Sequence, residues 1–151
     1  MVAGVPLVDV WRGDMVESQH LGHALICDGT GQIVEAWGDP ELVIYTRSSA
    51  KMIQALPLIE SGAADMAGLR SKQLALACAS HIGAALHTNA VKAWLEDLGL
   101  SDEDFRCGGH MPEDEAAHHG LVRAGQSPCQ VHNNCSGKHA GFLCAACHSG
   151  I

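Results

Sequence analysis

Apolar residues in the first third of the chain fall in short runs rich in β-branched and aromatic side chains, broken by turn-forming clusters. Residues 6–11, 22–27, 33–37 and 41–45 therefore read as strands. Asp28-Gly29-Thr30-Gly31 reads as a hairpin turn, and Gly38-Asp39-Pro40 as a second turn. Four strands in succession predict an antiparallel meander. The pattern then changes. Residues 50–60 read as an apolar helix that Pro57 kinks or shortens. The run Leu-Ala-Leu-Ala-Cys-Ala at 74–79 is short, apolar and uninterrupted, which predicts a buried central strand. Residues 84–98 predict a helix stopped at Gly99, and Ser101 with Asp104 predicts a capped turn. Helices are predicted over 113–124 and 137–147, with loops around Cys107-Gly108-Gly109-His110 and His132-Asn133-Asn134-Cys135. Strands followed by alternating elements point to an α/β or α+β fold, a mixed or antiparallel sheet flanked by helices, in a single domain spanning 1–151.

Composition narrows the function classes. A chain of 151 residues is about one domain, and 47% hydrophobic residues are enough for a core. The net charge of −8, with no cluster of Lys and Arg, argues against a nucleic-acid surface. No apolar run is long enough to span a bilayer. The opening residues lack the basic start of a secretory signal, so the seven cysteines read as reduced thiols in the cytoplasm. The apolar helical pattern running almost to Ile151 gives the expectation of an N-terminal portion of a longer chain.

Three polar positions fall at element ends: Ser48, Ser80 and Cys135. Ser48 and Lys51 stand at i and i+3, which puts both side chains on one helical face. A serine hydroxyl needs a base, and a neutral amine within reach can serve. The same S-x-x-K spacing opens the active-site helix of penicillin-binding proteins. The plainer alternative is an N-cap serine beside a solvated lysine. Ser80 and His81 follow the apolar run, and no adjacent acid completes a Ser-His-Asp set. Cys135, Lys138 and His139 bring a thiol, an amine and an imidazole into one short segment at a helix start. Cys144-Ala145-Ala146-Cys147-His148 matches a haem-attachment pattern, but two cysteines in an Ala-rich helix are more often core residues. His20, His23, His87, His118 and His119 show no ligand spacing.

The blocks Arg47-Ser48-Ser49-Ala50-Lys51, Cys78-Ala79-Ser80-His81, Cys107-Gly108-Gly109-His110 and Asn133-Asn134-Cys135-Ser136-Gly137-Lys138-His139-Ala140-Gly141 occur in order, after an opening Arg12-Gly13-Asp14-Met15-Val16-Glu17-Ser18-Gln19-His20. Together they resemble the bacterial L-asparaginase II family of the Rhizobium etli type. The resemblance implies a fold akin to serine β-lactamases and glutaminases, and hydrolysis of L-asparagine to L-aspartate and ammonia. It implies catalytic roles for Ser48, Lys51 and Ser80. It places Arg47 and His139 beside the substrate. It implies zinc held by Cys135 and Lys138, without a hydrolytic role. The second lysine and a further zinc-ligand cysteine of the family have no counterpart in this chain. The expected partners are a small-molecule substrate, L-asparagine, and a second copy in a homodimer, with neither nucleic acid nor membrane. The alternatives are a non-catalytic zinc or thiol module using Cys135, Lys138, Cys144 and Cys147, or an inactive truncated fragment.

Overall fold

A computed structural model describes residues 4–151. Met1, Val2 and Ala3, the start of the stretch read as lacking a secretory signal, lie outside the described residues. Contacts divide the chain into one unit ending at Tyr45 and a second, Thr46–Ile151.

In the first unit, β1 (Val5–Arg12) pairs antiparallel with β2 (Met15–Gly22), with Val5 opposite Gly22 and Arg12 opposite Met15 at the two ends and register shifts between Pro6 and Val8 and between Val10 and Trp11. β3 (Ala24–Cys27) pairs with β4 (Ile33–Trp37), forming a separate two-stranded sheet. Asp28 holds the turn between them, its carboxylate accepting N–H bonds from Thr30 at 2.8 Å and Gln32 at 3.0 Å. The expected meander is corrected in two places. Met15–Gly22 is a strand although its residues are mostly polar, because β1 supplies its hydrogen-bonding partner, and Gly22 ends it rather than opening the next strand. Residues 41–45 form no strand. Val43 is 95% and Tyr45 94% exposed, so these β-branched and aromatic side chains have nothing to pack on. Strand preference expresses packing more than backbone bias, and without a partner it has no effect.

The second unit is helical. A 3-10 turn at Arg47–Ala50 leads into α1 (Lys51–Gln54) and α2 (Leu56–Glu60). Pro57 lies in the first turn of α2, where its missing N–H breaks no bond. Then come α3 (Ala63–Met66), α4 (Ser71–Ala77), α5 (Ala85–Asp97), α6 (Glu115–Ala124) and α7 (Ser136–Ser149). The central strand expected at 74–79 is not formed: residues 74–77 are the C-terminal part of α4, and Cys78 and Ala79 lead out of it. An uninterrupted apolar run has no period to read, and Ala and Leu without β-branched residues favour a helix. Gln73 also reaches back to the Arg70 N–H at 3.2 Å, closing the first turn of α4. The expected stops and caps are present. Gly99 follows α5 at φ +71°, and the Ser101 hydroxyl accepts the Glu103 N–H at 3.2 Å.

The helical core gathers Leu58, Leu76, Ala77, Val91, Trp94, Leu95, Phe105, Val131, Ala140 and Cys144. α7 packs on α2, α3, α4 and α5. Its buried positions are Ser136, Gly137, Ala140, Gly141 and Cys144, a stripe of small residues at helical spacing. That stripe lets neighbouring backbones approach closely. The fold is mixed α/β, and among the described residues the strand pairing is antiparallel, as expected. Among the described residues no helix is long and apolar enough to cross a membrane.

Candidate functional site

Lys51 opens α1 and is buried, 4% exposed. Its Nζ lies 2.5 Å from Ser80 Oγ, in the loop just after α4. Ser48, by contrast, is exposed on the 3-10 turn. Among the described residues no hydrogen bond joins Ser48 to Lys51. The i, i+3 spacing brings their Cα atoms close, but the long lysine stem runs inward while the one-carbon serine side chain stays outside. Arg47 carries the only positive φ of a non-glycine residue among the described residues, +46°. Strained backbone of this kind gathers at functional sites. Neither Arg47 nor His139 hydrogen-bonds to Ser48, Lys51 or Ser80 among the described residues.

Ser80 Oγ also lies 4.0 Å from Cys135 Sγ, at the N-terminus of α7. Asn133 shapes this end. Its Oδ1 accepts the Cys135 N–H at 2.9 Å, while its Nδ2 donates to the carbonyls of Cys107 at 3.0 Å and Gly108 at 3.1 Å. The sequence blocks around residues 107 and 133 are thus one packed corner. A cavity of about 260 Å³ adjoins Ser80, lined also by Lys72, Leu76, Ala79, His81, Leu86 and His87.

The sequence marks His81 only as the neighbour of Ser80 and gives Ser136 no role, yet both are buried here. His81 Nε2 lies 2.8 Å from Ser136 Oγ, and His81 Nδ1 accepts the Gly83 N–H at 3.1 Å. The ring stacks on His87 at 5.1 Å. Burial, with smaller contributions from His87 and His132, pushes the His81 pKa down to about 4. The unfolded chain binds this proton near pH 6.5 and the folded chain only near pH 4. Stability is therefore fully present above pH 6.5 and falls as pH drops toward 4, at up to about 1.4 kcal/mol per pH unit. Urea midpoints are expected to fall between pH 7.5 and 5.5, with a shallower fall in His81→Gln. Equal slopes in the two proteins would reject this assignment.

Cys129 and His132 form a thiol–imidazole contact, 3.2 Å between Sγ and Nδ1. The Cys129 N–H also donates to Nδ1, at 3.1 Å. Both contacts converge on the one ring nitrogen and cap the 3-10 turn Gln130–His132. Burial, followed by Asp102, also raises the Cys129 thiol pKa.

The expected zinc donors, Cys135 and Lys138, share the first turn of α7. Lys138 Nζ lies 5.9 Å from the Phe142 ring centroid, and His139 meets the same ring edge-on. Among the described residues no group of three or more His, Cys, Asp or Glu side chains could hold a metal. Two donors on one turn fall short of the three or four protein ligands that zinc takes, so the residues described do not complete a site. Cys144 is buried with its thiol toward the Ala63 carbonyl, while Cys147 is exposed. The pair is therefore split between core and surface, against a shared thiol site.

The L-asparaginase II family model matches residues 8–151. No curated protein matches this chain.

Proposed function

Because this chain belongs to the L-asparaginase II family, we propose that it hydrolyses L-asparagine to L-aspartate and ammonia through a serine that Lys51 deprotonates. Family membership supports an asparaginase-type amidohydrolase acting on a small molecule. The finer reading rests on one observation, the buried Lys51 amine within hydrogen-bond reach of Ser80. The seven cysteines, none in a disulfide, suit a reducing compartment such as the cytoplasm.

In the mechanism, the neutral Lys51 amine accepts the Ser80 proton as Oγ attacks the side-chain amide carbon. The resulting ammonium hands that proton to the departing nitrogen, and ammonia leaves an ester on Ser80. Water then attacks the ester. Lys51 takes a proton from the water and returns it to Ser80 Oγ as aspartate departs. Arg47, at its strained position, and His139 are the side chains we assign to the substrate, and Ser48 is the second candidate hydroxyl. Zinc at Cys135 and Lys138 belongs to the same reading, but its donor set is incomplete here and no step passes through it.

Labelling with diisopropyl fluorophosphate, followed by peptide mapping, tests the choice of serine. The adduct is expected on Ser80, with loss of ammonia release in step. An adduct on Ser48 alone would move the nucleophile there. Ammonia release untouched by full labelling would reject a serine mechanism.

A further inference from the structure

We propose that His81 and Ser136 form a buried clamp that positions Ser80 against Lys51. The inference rests on the reading of Ser80 as the reacting hydroxyl, and it assigns two residues that do not themselves touch substrate.

α4 ends with the Ala79 N–H bonded to the Leu76 carbonyl at 3.2 Å. Ser80 is exposed, and the helix no longer directs its side chain. The next backbone bond runs from the His81 N–H to the Asn134 carbonyl at 2.9 Å. It ties the residue after Ser80 to the residue before Cys135. The His81 side chain repeats the tie two positions on, just past Cys135, with Nε2 at 2.8 Å from Ser136 Oγ. Both partners are buried, His81 at 5% exposure and Ser136 at 0%.

The direction of each bond follows from counting hydrogens. Ser136 Oγ has one hydrogen and gives it to the Val131 carbonyl at 2.9 Å. Toward His81 it can only accept, so Nε2 carries the ring hydrogen. Nδ1 is left as the acceptor that the Gly83 N–H requires. Every polar atom of the pair is then satisfied in one ring orientation only. Ser80 and Cys135 lie on either side of this double tie, and their side chains meet at 4.0 Å.

An apolar pair of similar volume would fill the same space, but it would leave the loop free to turn. The polar pair fixes rotation about the chain at 80–81, and that rotation decides whether Ser80 Oγ meets Lys51. Displacing a reacting group by about 1 Å costs up to about a hundredfold in rate.

The test uses the full chain and diisopropyl fluorophosphate, reading the rate of Ser80 labelling, the split between kcat and KM, and the near-ultraviolet circular dichroism. In Ser136→Ala the labelling rate and kcat are expected to fall about ten- to a hundredfold, with KM nearly unchanged. His81→Gln carries an amide donor about as far as Nε2 and is expected to recover most of that rate. His81→Asn is too short to reach Ser136 and is expected to stay slow. If Ser136→Ala does not fold, the contrast between His81→Gln and His81→Asn decides. Equal labelling of Ser80 in all folded variants and the unaltered chain overturns the clamp alone. No labelling of Ser80 in the unaltered chain overturns the clamp together with the reading beneath it.

Discussion

Lys51→Met is expected to lower ammonia release from L-asparagine by about a hundredfold to ten-thousandfold, the usual worth of a positioned general base. Methionine keeps much of the lysine stem's length and suits a site that is 4% exposed, so the fold should survive. What disappears is the amine 2.5 Å from Ser80 Oγ. Lys51→Arg is the sharper companion. It keeps the positive charge and can still donate to Ser80, but a guanidinium does not lose its proton in proteins. A base role predicts that both variants are inactive. A purely electrostatic role predicts that Lys51→Arg retains most of the rate. Steady-state ammonia assays on both, beside thermal melts to confirm folding, separate the two. Near-normal turnover in Lys51→Met would remove Lys51 from the chemistry.

Gly137→Ala is expected to destabilise the protein by about 1–3 kcal/mol or more, despite the better helix propensity of alanine. A Cβ at Gly137 would lie 2.7 Å from the Leu76 carbonyl oxygen and 2.8 Å from Leu76 Cβ. The obstacle is the backbone of α4, which cannot swing aside as a flexible side chain would. α7 and α4 would have to separate along the stripe that includes Ala140, Gly141 and Cys144. Ser80 follows α4 and Cys135 opens α7, so activity should fall with stability. Gly141→Ala is the control. Its Cβ would meet Ala77 Cβ at 3.3 Å and a flexible Leu58 methyl at 3.4 Å, a milder contact. Urea denaturation of the pair is expected to give a far lower midpoint for Gly137→Ala. Similar midpoints would mean that the α4–α7 contact yields more readily than its geometry indicates.

Much of the helical half can be read directly along the chain. Gly99 stops α5, Ser101 and Asp104 cap the turn after it, and Pro57 marks the break between α1 and α2. These signals act between residues within a turn or so of each other, so a linear reading recovers them. The strands at 33–37 and the Asp28 turn are recovered for the same reason. Two segments mislead. Leu74 to Ala79 carry no period, and the helix wins through local propensity and through burial against α7. Residues 41–45 carry strand preference but meet no partner strand.

The candidate site divides along the same line. Sequence alone determined that a lysine stands at the start of an apolar helix, three positions after a serine. It also determined that a second serine follows an apolar run and that a thiol opens a late helix, and the order of these blocks carries the family. Only the tertiary structure decided that Lys51 meets Ser80, 29 residues away, rather than its near neighbour Ser48. It also decided that His81 reaches Ser136 across 55 residues. Turns and caps are set by energies between adjacent residues. Which side chains meet across the core depends on how closely α4 and α7 can approach, and Gly137 permits that approach without announcing it in any local pattern.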